Sequence, residues 1–162
     1  MGAAIAPLPA GLLRMIGPGT PLEPEIRQAM EGVFEADFST VRVHHGSAAP
    51  ALGAQAFTIG DSLYFAPGLY DPTSRGGVVL LGHELTHVVQ QRAGRVANPY
   101  GHGVALVQDP VLEAEADRMG RFVAEELWSD SGKPRSPVTR RPGPRTPARI
   151  QLSARLAGWT CG

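Results

Sequence analysis

The sequence predicts an α+β fold on three observations. Short alternating strands cluster between residues 40 and 65, two long helical patterns follow them, and His83-Glu84-Leu85-Thr86-His87 lies within the first of those helices. Strands and helices segregated along a chain in this way pack as a small sheet with helices laid on it.

Each element has its own signal. Glu23-Pro24-Glu25 reads as a helix start, with proline in the first turn and acids at the positive helix end. Ile26, Met30, Val33 and Phe34 then recur at helical spacing, which predicts an amphipathic helix over about residues 23–36. Thr40 to His44 alternates as a strand, Ala48 to Ala54 as a short helical turn, and Ala56–Ile59 and Ser62–Phe65 as two strands. Between the last two, Gly60-Asp61 can supply the positive φ of a tight hairpin. A loop from Pro67 to Gly77 leads into the most apolar helix, Val78 to about Arg92, which Gly94 ends. A loop rich in Gly, Asn and Pro then reaches Asp109-Pro110, which caps a helix from Val111 to Trp128 striped with Leu112, Ala116, Met119, Val123 and Leu127.

Three segments are expected: a flexible arm over 1–21, the folded domain over 22–128 and a tail over 129–162. Residues 1–21 are rich in Gly, Ala and Pro and are expected to lie loosely on the surface. From Ser129 to about Thr146 the chain is Ser, Gly, Pro and Arg with few large apolar residues, a composition of disorder, and Ile150 to Leu156 reads as a short terminal helix. Formal charge is zero, yet the tail carries seven basic residues against Asp130 alone, which leaves residues 1–128 net acidic. No aromatic residue interleaves with the tail arginines from Lys133 to Arg155, so base stacking is not available and nucleic-acid binding is not expected. A single cysteine, Cys161, excludes an internal disulfide and a cysteine-based metal site. No run of about 18 apolar residues appears, so no membrane span is expected. The N-terminus has no basic residue before Arg14 and is broken by Pro7 and Pro9, so it reads poorly as a secretory signal, and synthesis in the cytoplasm is expected.

The chemistry lies in the two long helices. Residues four apart share a helix face, so His83 and His87 project together and can occupy adjacent corners of a zinc tetrahedron. Glu84 projects about 100° away and is placed to act as general base on a water at the metal. Gly82 leaves room against a neighbouring element. A catalytic zinc wants three protein ligands and one open position. The second helix offers Glu113 as the third ligand, with Asp117 one turn on to accept a ligand histidine's free N–H and fix its tautomer. The flanking Ala114 and Ala116 let the helices approach. Glu115 is expected to be solvated and is the reserve ligand.

The stretch from about Leu22 to Asp117 resembles the eCIS core domain family, whose members are encoded beside extracellular contractile injection systems of bacteria. Four blocks carry the resemblance in order: Asp37 to His44, Leu52 to Gly60, Leu63 to Gly68 and Leu80 to Gln91. Glu113 and Asp117 also look like the glutamate helix of zincin peptidases. The resemblance implies a zincin-like fold, a small twisted sheet packed on the His-Glu-x-x-His helix and closed by a glutamate helix. It further implies association with components of an injection particle, as effector or effector-linked domain, loaded and delivered by that particle. In zincins a strand beside the metal cleft holds substrate backbone by edge pairing, and Ser62 to Phe65 is the candidate.

A zinc-dependent peptidase acting on a peptide or protein is therefore the expected function. The alternative is a non-catalytic, zinc-stabilised loading or docking module, which the basic tail favours. Tyr100 or His102, in the loop between the two helices, is the candidate to steady a transition-state oxyanion. Tyr64 and Arg118 are weaker candidates. Arg42, His44 and His45 could line a cleft, although adjacent loop histidines are expected to be exposed.

Overall fold

The computed structural model describes residues 4–7, 11–12, 17–96 and 105–128. In chain order the elements are β1 (Ala4–Pro7), β2 (Thr20–Pro21), α1 (Pro24–Phe34), β3 (Arg42–His45), α2 (Ala48–Ala51), β4 (Ala56–Ile59), β5 (Ser62–Phe65), α3 (Arg75–Arg92), β6 (Ala105–Gln108) and α4 (Pro110–Leu127). The class is α+β: a mixed four-stranded sheet in the order β2-β3-β5-β4 and three long helices.

The hairpin of β4 and β5 forms as the sequence predicts, with Ile59 opposite Ser62 and Gly60 taking a positive φ of 56° in the turn. β3 and β5 run parallel, Val43 opposite Leu63. Parallel neighbours need a crossover rather than a turn, and α2 with β4 supplies it. Alternation then divides the side chains. Val43, Leu63 and Phe65 point to the helices, where Met30, Phe38, Leu81, Leu85, Val88 and Val123 complete a sealed core. On the opposite face His44, Tyr64 and Phe57 stand in register across three strands, each pair of rings stacked with centroids 4.6 Å apart. Ala48 and Ala49 of α2 pack on this second face, so the sheet is covered on both sides.

Several expectations change here. Ser62 to Phe65 has neighbours on both edges, so it has no free edge for a peptide; the edge strands of the sheet are β2 and β4. The local pattern gave β3, β4 and β5 but carries no record of strand order. The segment ahead of Leu22 contributes β1 and β2, and the expected loop before Asp109 contains β6, which pairs antiparallel with β1 from Ala4↔Gln108 to Pro7↔Ala105. Four-residue runs flanked by Gly and Pro hold too little alternation to announce such a pair. α3 starts at Arg75, three residues early, because the Ser74 hydroxyl accepts from the Gly77 N–H at 3.0 Å and caps it. Gly77 is there for space, since a β-carbon would overlap the carbonyl oxygen of Asp71.

The layer that matters for the site is α3 against α4. Asp109 caps α4 by accepting from the N–H of Val111 at 2.8 Å, with Pro110 in the first turn. The helices cross at Gly82 and Gly120, where a β-carbon on Gly82 would stand 3.1 Å from the Cα of Gly120. Ala116 is sealed in the same seam. Small residues at a crossing let helix backbones meet and bring their longer neighbours within reach of each other.

Candidate metal centre

Either side of that crossing, α3 presents His83 and His87 and α4 presents Glu113. Their ligand atoms converge. The two Nε2 atoms lie 3.0 Å apart. Nε2 of His83 is 3.3 Å from one Glu113 oxygen, and Nε2 of His87 is 3.3 Å from the other. Among the described residues these three side chains are the group able to hold a metal ion. All three are half-buried, with Glu113 retaining 36% of its side-chain exposure, so the cluster reaches solvent.

The outer nitrogens decide what the inner ones can do. Nδ1 of His83 lies 3.0 Å from Oδ1 of Asp117, as the sequence predicts for that aspartate. Nδ1 of His87 meets a partner the sequence reading did not single out, Oε1 of Gln90 at 2.8 Å. Both partners are acceptors, so both Nδ1 atoms carry hydrogen. A neutral imidazole then exposes a bare lone pair at Nε2. Two such lone pairs and a carboxylate face one another, an arrangement that needs a cation, either a proton or a metal.

Charge in the cluster follows from this. Burial works against protonating His83 and His87, but the carboxylates of Glu113 and Glu84 outweigh it and raise both above the usual histidine value. The same two histidines hold Glu113 down to about 2.

Glu84 is enclosed, only 3% exposed. Its Oε2 lies 2.6 Å from the hydroxyl of Thr58 on β4, which also lies 3.1 Å from the Glu84 carbonyl. Burial pushes its carboxyl upward, against the opposing pull of Thr58 and of the two histidines. A carboxyl held above its ordinary range sits closer to neutrality, where a general base works best.

Other expected residues fall elsewhere. Glu115 is half-buried and paired: it meets Nη1 of Arg95 at 2.7 Å and accepts from Nε2 of Gln90 at 2.8 Å, outside the metal-capable group. Tyr64 is on the far face of the sheet, stacked between His44 and Phe57, and cannot act at this cluster. His44 is half-buried in that stack rather than exposed, because the flanking Gly19 lies flat against its ring. His45 is exposed, beside Tyr70, and Arg42 is spent on the carbonyls of Ser39 and Val41. Arg118 is exposed on α4. Tyr100, His102 and the tail from Ser129 lie outside the described residues. For Gln90 the sequence offers only its place one helical turn after His87, on the same face.

Residues 21–95 match the family described as the eCIS core domain. The chain carries an eCIS core domain. The match suggests an association with contractile injection systems. The matched segment of the eCIS core domain holds β3, β4 and β5 and both histidines, and it ends before α4. Glu113 and Asp117 therefore come from sequence beyond the match. No curated protein and no solved structure matches the chain. Among the described residues, no helix is long and apolar enough to cross a membrane.

Proposed function

We propose that this eCIS core domain holds a zinc ion between α3 and α4 and hydrolyses peptide bonds, as an effector or effector-linked domain of a contractile injection particle. The observation that carries the reading is the convergence of two lone-pair nitrogens and one carboxylate. Zinc bonds of about 2.0–2.1 Å at tetrahedral angles put neighbouring ligand atoms about 3.3 Å apart. Separations of 3.0, 3.3 and 3.3 Å are close to that edge length. Two imidazoles and a carboxylate are also the donor set of zinc sites that keep a fourth position open. A small sheet packed with a histidine helix and a glutamate helix is compatible with the zincin-like arrangement expected from the sequence, which supports the same reading.

His83, His87 and Glu113 would hold the ion, and Asp117 orients His83. When bound, zinc supplies Lewis acidity toward a carbonyl oxygen and acidifies water. Glu84, with its raised carboxyl, is the group to take a proton from the attacking water. The free edge of β4, next to Glu84 through Thr58, is the place for substrate backbone.

The test is metal content beside cleavage. Purified protein should take up about one equivalent of zinc, and Glu84→Gln should keep that zinc while losing cleavage of a peptide library. Equal cleavage by Glu84→Gln would sink the mechanism, and a parent chain that takes up no zinc would sink the site.

One observation favours a second reading, a loading module in which the metal only stabilises the fold. Glu84 is sealed and hydrogen-bonded to Thr58, an arrangement that also suits a structural carboxyl. On that reading zinc raises the melting temperature, no peptide is cleaved, and the chain still associates with the particle.

A further inference from the structure

We propose that Gln90 is a positioning residue of this centre, fixing the tautomer of His87 and the placement of Glu113 with a single side-chain amide. The inference rests on the metal-centre reading above, and it uses groups which that reading leaves idle.

Gln90 is fully buried, 0% exposed, in the last turn of α3. Its amide nitrogen donates to the Leu112 carbonyl at 3.1 Å and to Oε2 of Glu115 at 2.8 Å. Both of those are acceptors, and Glu115 is itself tied to Arg95. The amide therefore cannot flip: its nitrogen must face α4 and its oxygen must face His87. An oxygen at 2.8 Å can only accept, so the hydrogen of His87 sits on Nδ1 and the lone pair points from Nε2 toward His83 and Glu113.

The second half of the argument is where the nitrogen lands. Leu112 immediately precedes Glu113, so the same amide pins the α4 backbone one residue from the third ligand. The two imidazoles are thus each tied to α4, by different means. His83 reaches it directly through Asp117, which is 57% exposed. His87 reaches it through Gln90, in the sealed interior. Leucine at position 90 would keep the packing and lose both links. Glutamate would still accept from His87 but would set a carboxylate against the Leu112 carbonyl and Glu115.

Nitrogen NMR of the imidazoles in metal-free full-length protein at alkaline pH reads the tautomer, and zinc titration against a chromophoric chelator reads the affinity. The parent should show His87 with hydrogen on Nδ1. Gln90→Leu should move His87 away from that form, leave His83 unchanged as an internal control, and weaken zinc binding about 10–100-fold, the loss expected of an outer partner of a ligand. Gln90→Glu should keep the Nδ1–H signature and still lose zinc affinity, separating the tautomer effect from the tether to α4. Hydrogen on Nε2 of His87 in the parent overturns the proposal. So does a Gln90→Leu protein with the parent's tautomer and affinity, or one in which His83 changes equally. If the parent takes up no zinc, the metal reading fails by itself, and the metal-free spectrum still decides the tautomer. If Gln90→Leu does not fold, the parent and Gln90→Glu spectra decide it.

Discussion

Gly120 of α4 is pressed onto α3 beside Gly82, with no room for a side chain on either helix: a β-carbon on Gly120 would overlap the Val79 carbonyl oxygen and stand 3.2 Å from the backbone nitrogen of His83. The separation of the two helices, and hence the reach of Glu113, is set there.

Gly120→Ala should therefore act on the centre without touching a ligand. Overpacking a seam of backbone atoms costs about 1–3 kcal/mol. Zinc affinity should fall along with melting temperature. Gly32→Ala is the control, because a β-carbon on Gly32 meets nothing within 4 Å and alanine favours a helix. Calorimetry of both variants, with and without zinc, checks this; an unshifted Gly120→Ala melt would refute the crossing argument.

Glu113→Ala and Asp117→Asn should separate by degree. Asp117 acts through His83 and is the more exposed of the two, so its loss should cost about 10-fold in zinc affinity, the low end for outer partners. Glu113→Ala removes a ligand and should cost more than the ~100-fold upper end of that range. Competition with a chromophoric chelator measures both, and the reverse order would remove Glu113 from the ligand set.

The pH dependence follows from the shifts. His83 and His87 titrate above the usual 6.5, so their contribution to metal-free stability is complete below that value and is lost as pH rises through the raised values. Glu113 is lowered from 4.5 to about 2, so its contribution is present above 4.5 and is lost as pH falls toward 2. The cluster thus supports the metal-free fold most between about 4.5 and the histidine values. Zinc competes with those protons, so its apparent affinity should fall on acidification through the histidine range, and binding should release protons. Melting curves across pH, with zinc and with chelator, should show the alkaline loss only in the chelated protein.

Thr58→Val tests the lock on Glu84. The substitution leaves a buried carboxyl without its hydroxyl partner, which costs about 1–3 kcal/mol. Chemical denaturation at neutral pH should show that loss with zinc uptake unchanged. A neutral result would mean that Glu84 finds water instead.

The helices were legible because their chemistry sits at helical spacing: His83 with His87, and Glu113 with Asp117, share faces that any α-helix would give them. Capping was legible too at Asp109-Pro110, and the hairpin at Gly60-Asp61. What could not be read is everything set between elements. No local pattern says that β5 lies inside the sheet and β4 at its edge, that Ala4–Pro7 pairs with Ala105–Gln108, or that Tyr64 faces away from α3. Glycine misled at Gly77, where its value is close packing in a helix and not a bend. Gln90 was passed over for the opposite reason: its role depends on three partners on two helices, and only the fold brings them together.

At the outer strand, Gln91 does something unlike its neighbour. Its side chain accepts from the Gly60 N–H at 2.6 Å and donates to the Thr58 carbonyl at 3.0 Å, taking the place of one rung of a next strand. Exposed sheet edges invite copies of a protein to zip together. With that rung filled, only the few groups toward Ala56 stay available for backbone pairing. At this strand the filled rung works against copies of the chain zipping together edge to edge.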